Sequence, residues 1–291
     1  MLKLNLNDKV ALVSCSNGQP RANAEKLNNL HNTLERIGLQ PVWGSYSFET
    51  EHELNGDARD KAAELMHFFR DDDIRAVFDI SGGDLANGVL PYLDYEAIAE
   101  SGKLFYGYSD LTTVVNAIYA KTGRPAVLYQ IRNLIKADAE NQIDRFTKSI
   151  FDGKEDLFDI SCRFEQKREM RGIVVGGNIR CLLKLAGTEY WPDMHGKILL
   201  LEAFGGDVTQ MMTYLNQLKQ LKVFEQVSGI LLGTFTRMEE LGRTPAMPEL
   251  VKGYVTEEMP VACTGEIGHG ADSKAILIGK EYDFSWGEIK C

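Results

Sequence analysis

Short apolar runs alternate along the chain with stretches in which apolar residues recur every three or four positions. Residues 9–14 (KVALVS) form a continuous apolar run of strand length, closed by a polar turn at Ser16, Asn17 and Gly18. Leu27, Leu30, Leu34 and Ile37 then share one helical face, and Gly38 sits where a helix-ending glycine belongs. Residues 41–43 read as a second strand. Asp57 starts a helix that buries Ala62, Leu65, Met66 and Phe69, and residues 76–80 (AVFDI) are a third strand running into Ser81, Gly82 and Gly83. A short helix is expected over residues 85–90. A fourth strand, 104–108, leads directly into the helical pattern of Leu111, Val114, Val115 and Ile118. Residues 126–129 are a strand and 142–151 a closing helix.

Strands alternating with helices predict an α/β fold with a parallel, doubly wound sheet. Ligands of such sheets bind beyond the carboxyl ends of the strands. Residues 152–171 are highly charged and read as a crossing, which divides the chain into a domain over 1–160 and a second over 161–291. The second half predicts strands at 173–175, 198–201, 230–232, 261–263 and 275–278. Its long helix, 207–221, carries Met211, Tyr214, Leu215 and Leu218 on one face, and residues 236–248 read as an exposed loop.

Composition narrows the possible functions. Of 291 residues, 42 are acidic and 32 basic, a net charge of −10. That balance argues against a nucleic-acid or anionic-membrane partner, both of which need clustered Lys and Arg. No apolar run is long enough to span a bilayer, and the first residues lack the pattern of a signal peptide. The five cysteines are scattered, with no close pair of the metal or redox type. The expectation is a cytoplasmic protein with reduced thiols and neither metal nor organic cofactor.

Candidate chemistry collects at the strand ends. Ser109 lies on a tight strand-to-helix turn, with Gly107 two residues before it. Such a turn exposes a hydroxyl beside the free amides of a helix start. Serine is also a favoured helix cap, so this stretch alone admits both roles. A nucleophilic serine needs a base, and the base needs an orienting acid. Of the five histidines, His31 and His67 fall inside predicted helices, His52 lies in a charged loop and His195 in a turn. His269 differs, lying in the glycine-flanked EIGHG after the strand PVACTG. Glu202 closes the apolar run KILLLE. Ser109, Glu202 and His269 thus follow the chain order Ser, acid, His of α/β hydrolases. An oxyanion hole requires two donors; Asp110 offers one amide, and Gly82 or Gly83 a second. The pattern SGGDLANG is not a phosphate loop, and the first strand turn lacks the dinucleotide-binding glycines.

Taken together, SGGDLANGVLPYLDYEAI, KLFYGYSDLTTVVNAIYAKTG, VVGGNIRCLLKLAGTEYWPDMHGKILLLEAFGGD and PVACTGEIGHGADSKAILIG resemble the LD-carboxypeptidases. This serine peptidase family includes the microcin C immunity peptidases, and the resemblance covers nearly the whole chain. It implies a Rossmann-like N-terminal domain, a smaller β-rich C-terminal α/β domain and a homodimer. It further implies that Ser109 is the nucleophile, Glu202 and His269 its partners, and Gly83 with the Asp110 amide the oxyanion hole. The chain departs from the family at Ser81, where many members have arginine, at Ala203, where many have an acid, and at residues 275–279. The expected reaction is hydrolysis of an L–D peptide bond in a murein peptide, releasing terminal D-alanine. The alternatives are cleavage of an aminoacyl-nucleotide amide in self-immunity and, in another class, a non-catalytic peptide- or nucleotide-binding module. Arg124, Arg132, Arg180, Arg237 and Lys274 are the candidate holders of a substrate carboxylate, and Asn87, Tyr108 and Tyr129 are candidate pocket residues.

Overall fold

The computed structural model describes residues 3–50 and 54–285. The strands are β1 (Lys9–Val13), β2 (Gln40–Trp43), β3 (Ile74–Asp79), β4 (Leu104–Gly107), β5 (Ala126–Leu128), β6 (Arg163–Gln166), β7 (Glu169–Asn178), β8 (Ile198–Ala203), β9 (Gly229–Phe235), β10 (Val261–Cys263), β11 (Ile276–Ile278) and β12 (Glu281–Ser285). The helices are α1 (Ala24–Arg36), α2 (Ala58–Arg70), α3 (Tyr95–Ser101), α4 (Thr112–Thr122), α5 (Ala139–Ile150), α6 (Ile179–Leu183), α7 (Val208–Gln220), α8 (Thr236–Glu240) and α9 (Met247–Lys252).

The first sheet has the order β11-β5-β4-β3-β1-β2. Its strands β1 to β5 are parallel, and β11 adds to the edge antiparallel, with Ile276 opposite Leu128. Alternation along β1 explains the layering. Val10 and Leu12 pack with Leu27, Leu30 and Leu34 of α1, whereas Ala11 and Val13 pack with Ala62, Leu65 and Phe69 of α2. Helices therefore cover both faces, as the continuous apolar runs require. Helix ends follow their local chemistry. Asp57 caps α2 by accepting from the Arg59 amide, and α4 stops at Gly123 in the left-handed region.

The second sheet has the order β12-β7-β8-β9-β10-β6. Its strands β7 to β10 are parallel, and antiparallel strands close both edges. Leu199 and Leu201 face Met211, Leu215 and Leu218 of α7. Ile198 and Leu200 face the other way, into the cluster that holds Phe105, Leu111 and Val114. The two sheets thus share apolar core, and α4 lies between them.

Several segments differ from the sequence expectation; the charged crossing 152–171 contains β6 and the start of β7. The run 275–278 forms β11 and joins the first sheet, so the chain returns to the sheet that carries Ser109 after leaving it. Periodicity gives a strand but not its partner. Residues 236–248, expected as an exposed loop, contain α8 and the start of α9, with Met238 and Met247 buried. Their few apolar positions are spaced too widely for a periodic signal, and burial of those methionines orders the segment. The expected short helix near 85–90 is a 3₁₀ turn, Ala86–Tyr92.

Candidate active site

Ser109 emerges from a buried strand. Tyr108 is extended, and Ser109 has a φ of 59°, in the left-handed region. That conformation costs a non-glycine residue about 1–3 kcal/mol and occurs where surrounding structure enforces it. A 3₁₀ turn, Ser109–Leu111, then feeds α4, and the Ser109 hydroxyl is directed to His269. Gly107 permits the bend, because a Cβ there would lie 2.6 Å from the Leu111 Cβ.

Glu202 and His269 reach the serine from the second sheet. Glu202 is on β8 and fully buried. Its Oε1 accepts from Asn178 Nδ2 at 3.0 Å, and its Oε2 lies 2.8 Å from His269 Nδ1. His269 Nε2 stands 3.2 Å from Ser109 Oγ. An ionised carboxylate only accepts hydrogen bonds, so the Nδ1 proton faces Glu202 and Nε2 is left to accept from the serine hydroxyl. The histidine loop is tied to the end of β9 by Thr234 N donating to Ile267 O at 2.8 Å. The ring is held edge-on by Tyr108 and flanked by Phe204, each with its ring centre 5.0 Å away. The Tyr108 hydroxyl is buried beside the Glu202 carboxylate without a hydrogen bond of good geometry. Burial, followed by the Glu202 charge, pushes its pKa well up.

Gly83 lines the pocket beside Ser109. Its φ is 122°, and a Cβ would fall 2.3 Å from Asn17 Cγ, so glycine is needed here. Asn17 Oδ1 accepts from the Asp84 amide at 2.8 Å, which fixes the loop. Among the described residues, neither the Gly83 nor the Asp110 amide donates to a protein acceptor.

The side chain of Asp110 does work that the motif does not reveal. It is fully buried, and Oδ2 accepts from Ser16 Oγ at 2.7 Å and from the Ala86 amide at 2.8 Å. Lys184, just past α6, donates to Oδ1 and also to Asp84 O at 2.9 Å. Arg180, one turn earlier, pairs with Asp84 and donates to Gly83 O at 3.0 Å. The Arg180 contact and, less strongly, Lys184 hold the Asp84 carboxyl below its usual range. A short helix of the second half thereby grips both loops that flank Ser109. Asn178 adds a further tie, since its amide donates to Thr112 Oγ1 at 3.0 Å. Ser81 donates to Asp79 Oδ1 at 2.5 Å and accepts from the Ser16 amide at 2.9 Å.

Gly82, Gly83, Tyr108, Ser109 and His269 line a pocket of about 260 Å³. Arg132 and Lys136 line it together with Gln19 and Phe204. Sequence reading had Arg132 among five candidates and missed Lys136, which has no motif and is recognisable only one helical turn from Arg132. The other candidates lie elsewhere or are engaged. Arg124 borders a separate, largely apolar cavity of about 250 Å³ beside Phe69 and Phe105. Arg180 is bound to Asp84, Lys274 pairs with Glu266 at 2.7 Å, and Arg237 is exposed. Tyr108 lines the pocket, whereas Tyr129 is buried in the core with its hydroxyl donating to Gln142. His31 stacks on Trp43 and His195 pairs with Asp193, both away from Ser109; His52 lies outside the described residues. Among the described residues no helix is long and apolar enough to cross a membrane.

Comparison with known proteins agrees with this architecture. Residues 10–130 match the LD-carboxypeptidase N-terminal domain and residues 171–284 the LD-carboxypeptidase C-terminal domain. The probable murein peptide carboxypeptidase of Bacillus subtilis is 29% identical over 290 residues, covering 95% of this chain and 88% of that protein. The microcin C7 self-immunity protein MccF of Escherichia coli is 28% identical over 232 residues, 69% of this chain and 67% of that protein. The crystal structure of an MccF-like protein from Bacillus anthracis superposes with a TM-score of 0.84 at 24% identity, over 99% of this chain and 96% of that one. With both of its domains matched in order, the chain belongs to the LD-carboxypeptidase family and is an enzyme of the serine carboxypeptidase type.

Proposed function

We propose that Ser109 is the nucleophile, His269 its general base and Glu202 the group that orients and charge-stabilises the imidazole. The observation that carries this reading is the continuous relay of 3.2 and 2.8 Å linking three residues from separate strand ends. His269 Nε2 takes the hydroxyl proton as Ser109 Oγ bonds to the carbonyl carbon. The Gly83 and Asp110 amides receive the oxyanion. Collapse breaks the carbon–nitrogen bond, and the proton passes from His269 to the leaving amine. Water then repeats the sequence on the acyl-enzyme, returning the serine. The bond proposed is the L–D peptide bond before a terminal D-alanine in a murein peptide. This is supported by the likeness to a probable murein peptide carboxypeptidase. The proposed setting is cytoplasmic, in keeping with free thiols at Cys15, Cys162, Cys181 and Cys263.

A second substrate reading has its own observation. Phe204 is 61% exposed beside His269 and offers an aromatic face at the pocket mouth. A nucleobase would stack there, which fits an aminoacyl-nucleotide amide, in line with the solved structure of MccF in complex with aspartyl sulfamoyl adenosine. Two assays test these readings. A fluorophosphonate should label wild type and leave Ser109→Ala unlabelled; a folded wild type that resists the probe would defeat the nucleophile assignment. D-alanine release from a murein tetrapeptide, set against cleavage of an aminoacyl sulfamoyl adenosine, decides the substrate.

A further inference from the structure

Arg132 is built into the pocket at a cost. It follows β5 in the 3₁₀ turn Ile131–Ile135, where its amide donates to the Gln130 side chain at 3.3 Å. Its Nη1 donates to Gln19 Oε1 at 3.0 Å, and its Nε is buried with no partner. Among the described residues no carboxylate lies within ion-pairing distance of Arg132 or of Lys136. Burial lowers the Arg132 pKa, and Asp79 opposes this only from beyond ion-pair range. Burial, and then Arg132 itself, lowers that of Lys136. A guanidinium with one neutral acceptor in a partly dry site is costly unless an anion completes it. The arginines and lysine of the second half around Ser109 already have carboxylate partners; this pair does not.

We propose that Arg132, with Lys136 at the rim, binds the free carboxylate of the leaving amino acid and makes the enzyme an exopeptidase. This rests on Ser109 being the nucleophile. The geometry suits the chemistry in two respects. A terminal carboxylate is joined to the scissile nitrogen through a single α-carbon, so it must lie in the same pocket as the attacked carbonyl. A guanidinium fork matches a planar carboxylate in a bidentate manner, and the ammonium adds charge. The modest pocket volume fits a leaving group of amino-acid size.

The test uses wild type, Arg132→Gln, Arg132→Lys and Lys136→Gln with two substrates: the murein tetrapeptide as free acid and the same peptide as C-terminal amide. Fluorophosphonate labelling, which needs no carboxylate, reports whether each variant keeps a folded, reactive Ser109. Wild type should favour the acid by roughly 10- to 100-fold in kcat/KM. Arg132→Gln should label at the wild-type rate yet lose that preference, mainly through KM, with Arg132→Lys recovering part of it. Lys136→Gln should lose less and show a weaker salt dependence than wild type. The proposal is overturned if Arg132→Gln retains the acid preference. It is equally overturned if a labelled wild type cleaves the amide as well as the acid or cleaves neither. Absence of both labelling and cleavage would instead remove the nucleophile reading on which it rests.

Discussion

Ser109 and His269 stand 3.2 Å apart, yet opposite means hold them. Ser109 sits between a strand and a helix, and its position is set by backbone: a left-handed φ, a glycine two residues earlier and amides at a helix start. His269 lies in a loop without regular structure and is placed by side chains: Glu202 below, Tyr108 edge-on, Phe204 alongside. The first arrangement tolerates little change in local sequence, and the distant residues Lys184 and Asn178 brace the turn from outside. The second has little local signature and depends on residues some 60 to 160 positions away.

Substitutions break this contrast to different degrees. Ser109→Ala removes the proposed attacking atom and should lower kcat by about 10⁴- to 10⁶-fold with the fold intact, checked by circular dichroism and D-alanine release. An alanine variant within tenfold of wild type would end the covalent mechanism. Glu202→Gln keeps the shape of the side chain that places the histidine but removes the charge, and kcat should fall about 10³- to 10⁴-fold with KM nearly constant. Should KM rise instead with kcat unchanged, Glu202 acts on binding.

Lys184→Met tests the grip on the serine side. It leaves the fully buried Asp110 carboxylate without its cation, and stability in denaturant should drop by about 3 kcal/mol. Arg180→Met, which breaks the more exposed pair with Asp84, should cost within about 1 kcal/mol. Equal losses would show that burial does not distinguish the two contacts. The smallest change is expected from Tyr108→Phe. The hydroxyl faces Glu202 without a well-formed hydrogen bond, so its removal should shift stability by less than about 1 kcal/mol while the ring keeps supporting His269. A large loss of kcat in this variant would assign the hydroxyl a role in the reaction.

Much of the fold was legible because the first half writes its layers into periodicity. The apolar run at residues 9–14 and the Leu27–Leu30–Leu34 face needed no tertiary information to be read as strand and helix. The segments misread were those whose order comes from packing. Residues 236–248 carry two buried methionines in a polar setting, and 275–278 pair across the molecule with β5. The candidate site divides the same way. Ser109, Glu202, His269 and Gly83 stand at strand ends or beside glycines and carry a family pattern. Asn178 also stands at a strand end beside glycines, but its sequence does not say that Glu202 is its partner, and a lysine such as Lys184 or Lys136 looks the same in sequence whether it meets solvent or lines a site.

By itself the sequence determined the alternation of strand and helix, the strained turn that presents Ser109, and the chain order of serine, glutamate and histidine. These are local properties, set by φ/ψ preference, side-chain period and glycine placement. Tertiary structure decided which strand ends meet, which polar groups are buried together, and which of five candidate cations faces the pocket. Those outcomes depend on contacts between residues far apart in the chain, where desolvation and hydrogen bonding act on geometry that no local pattern encodes.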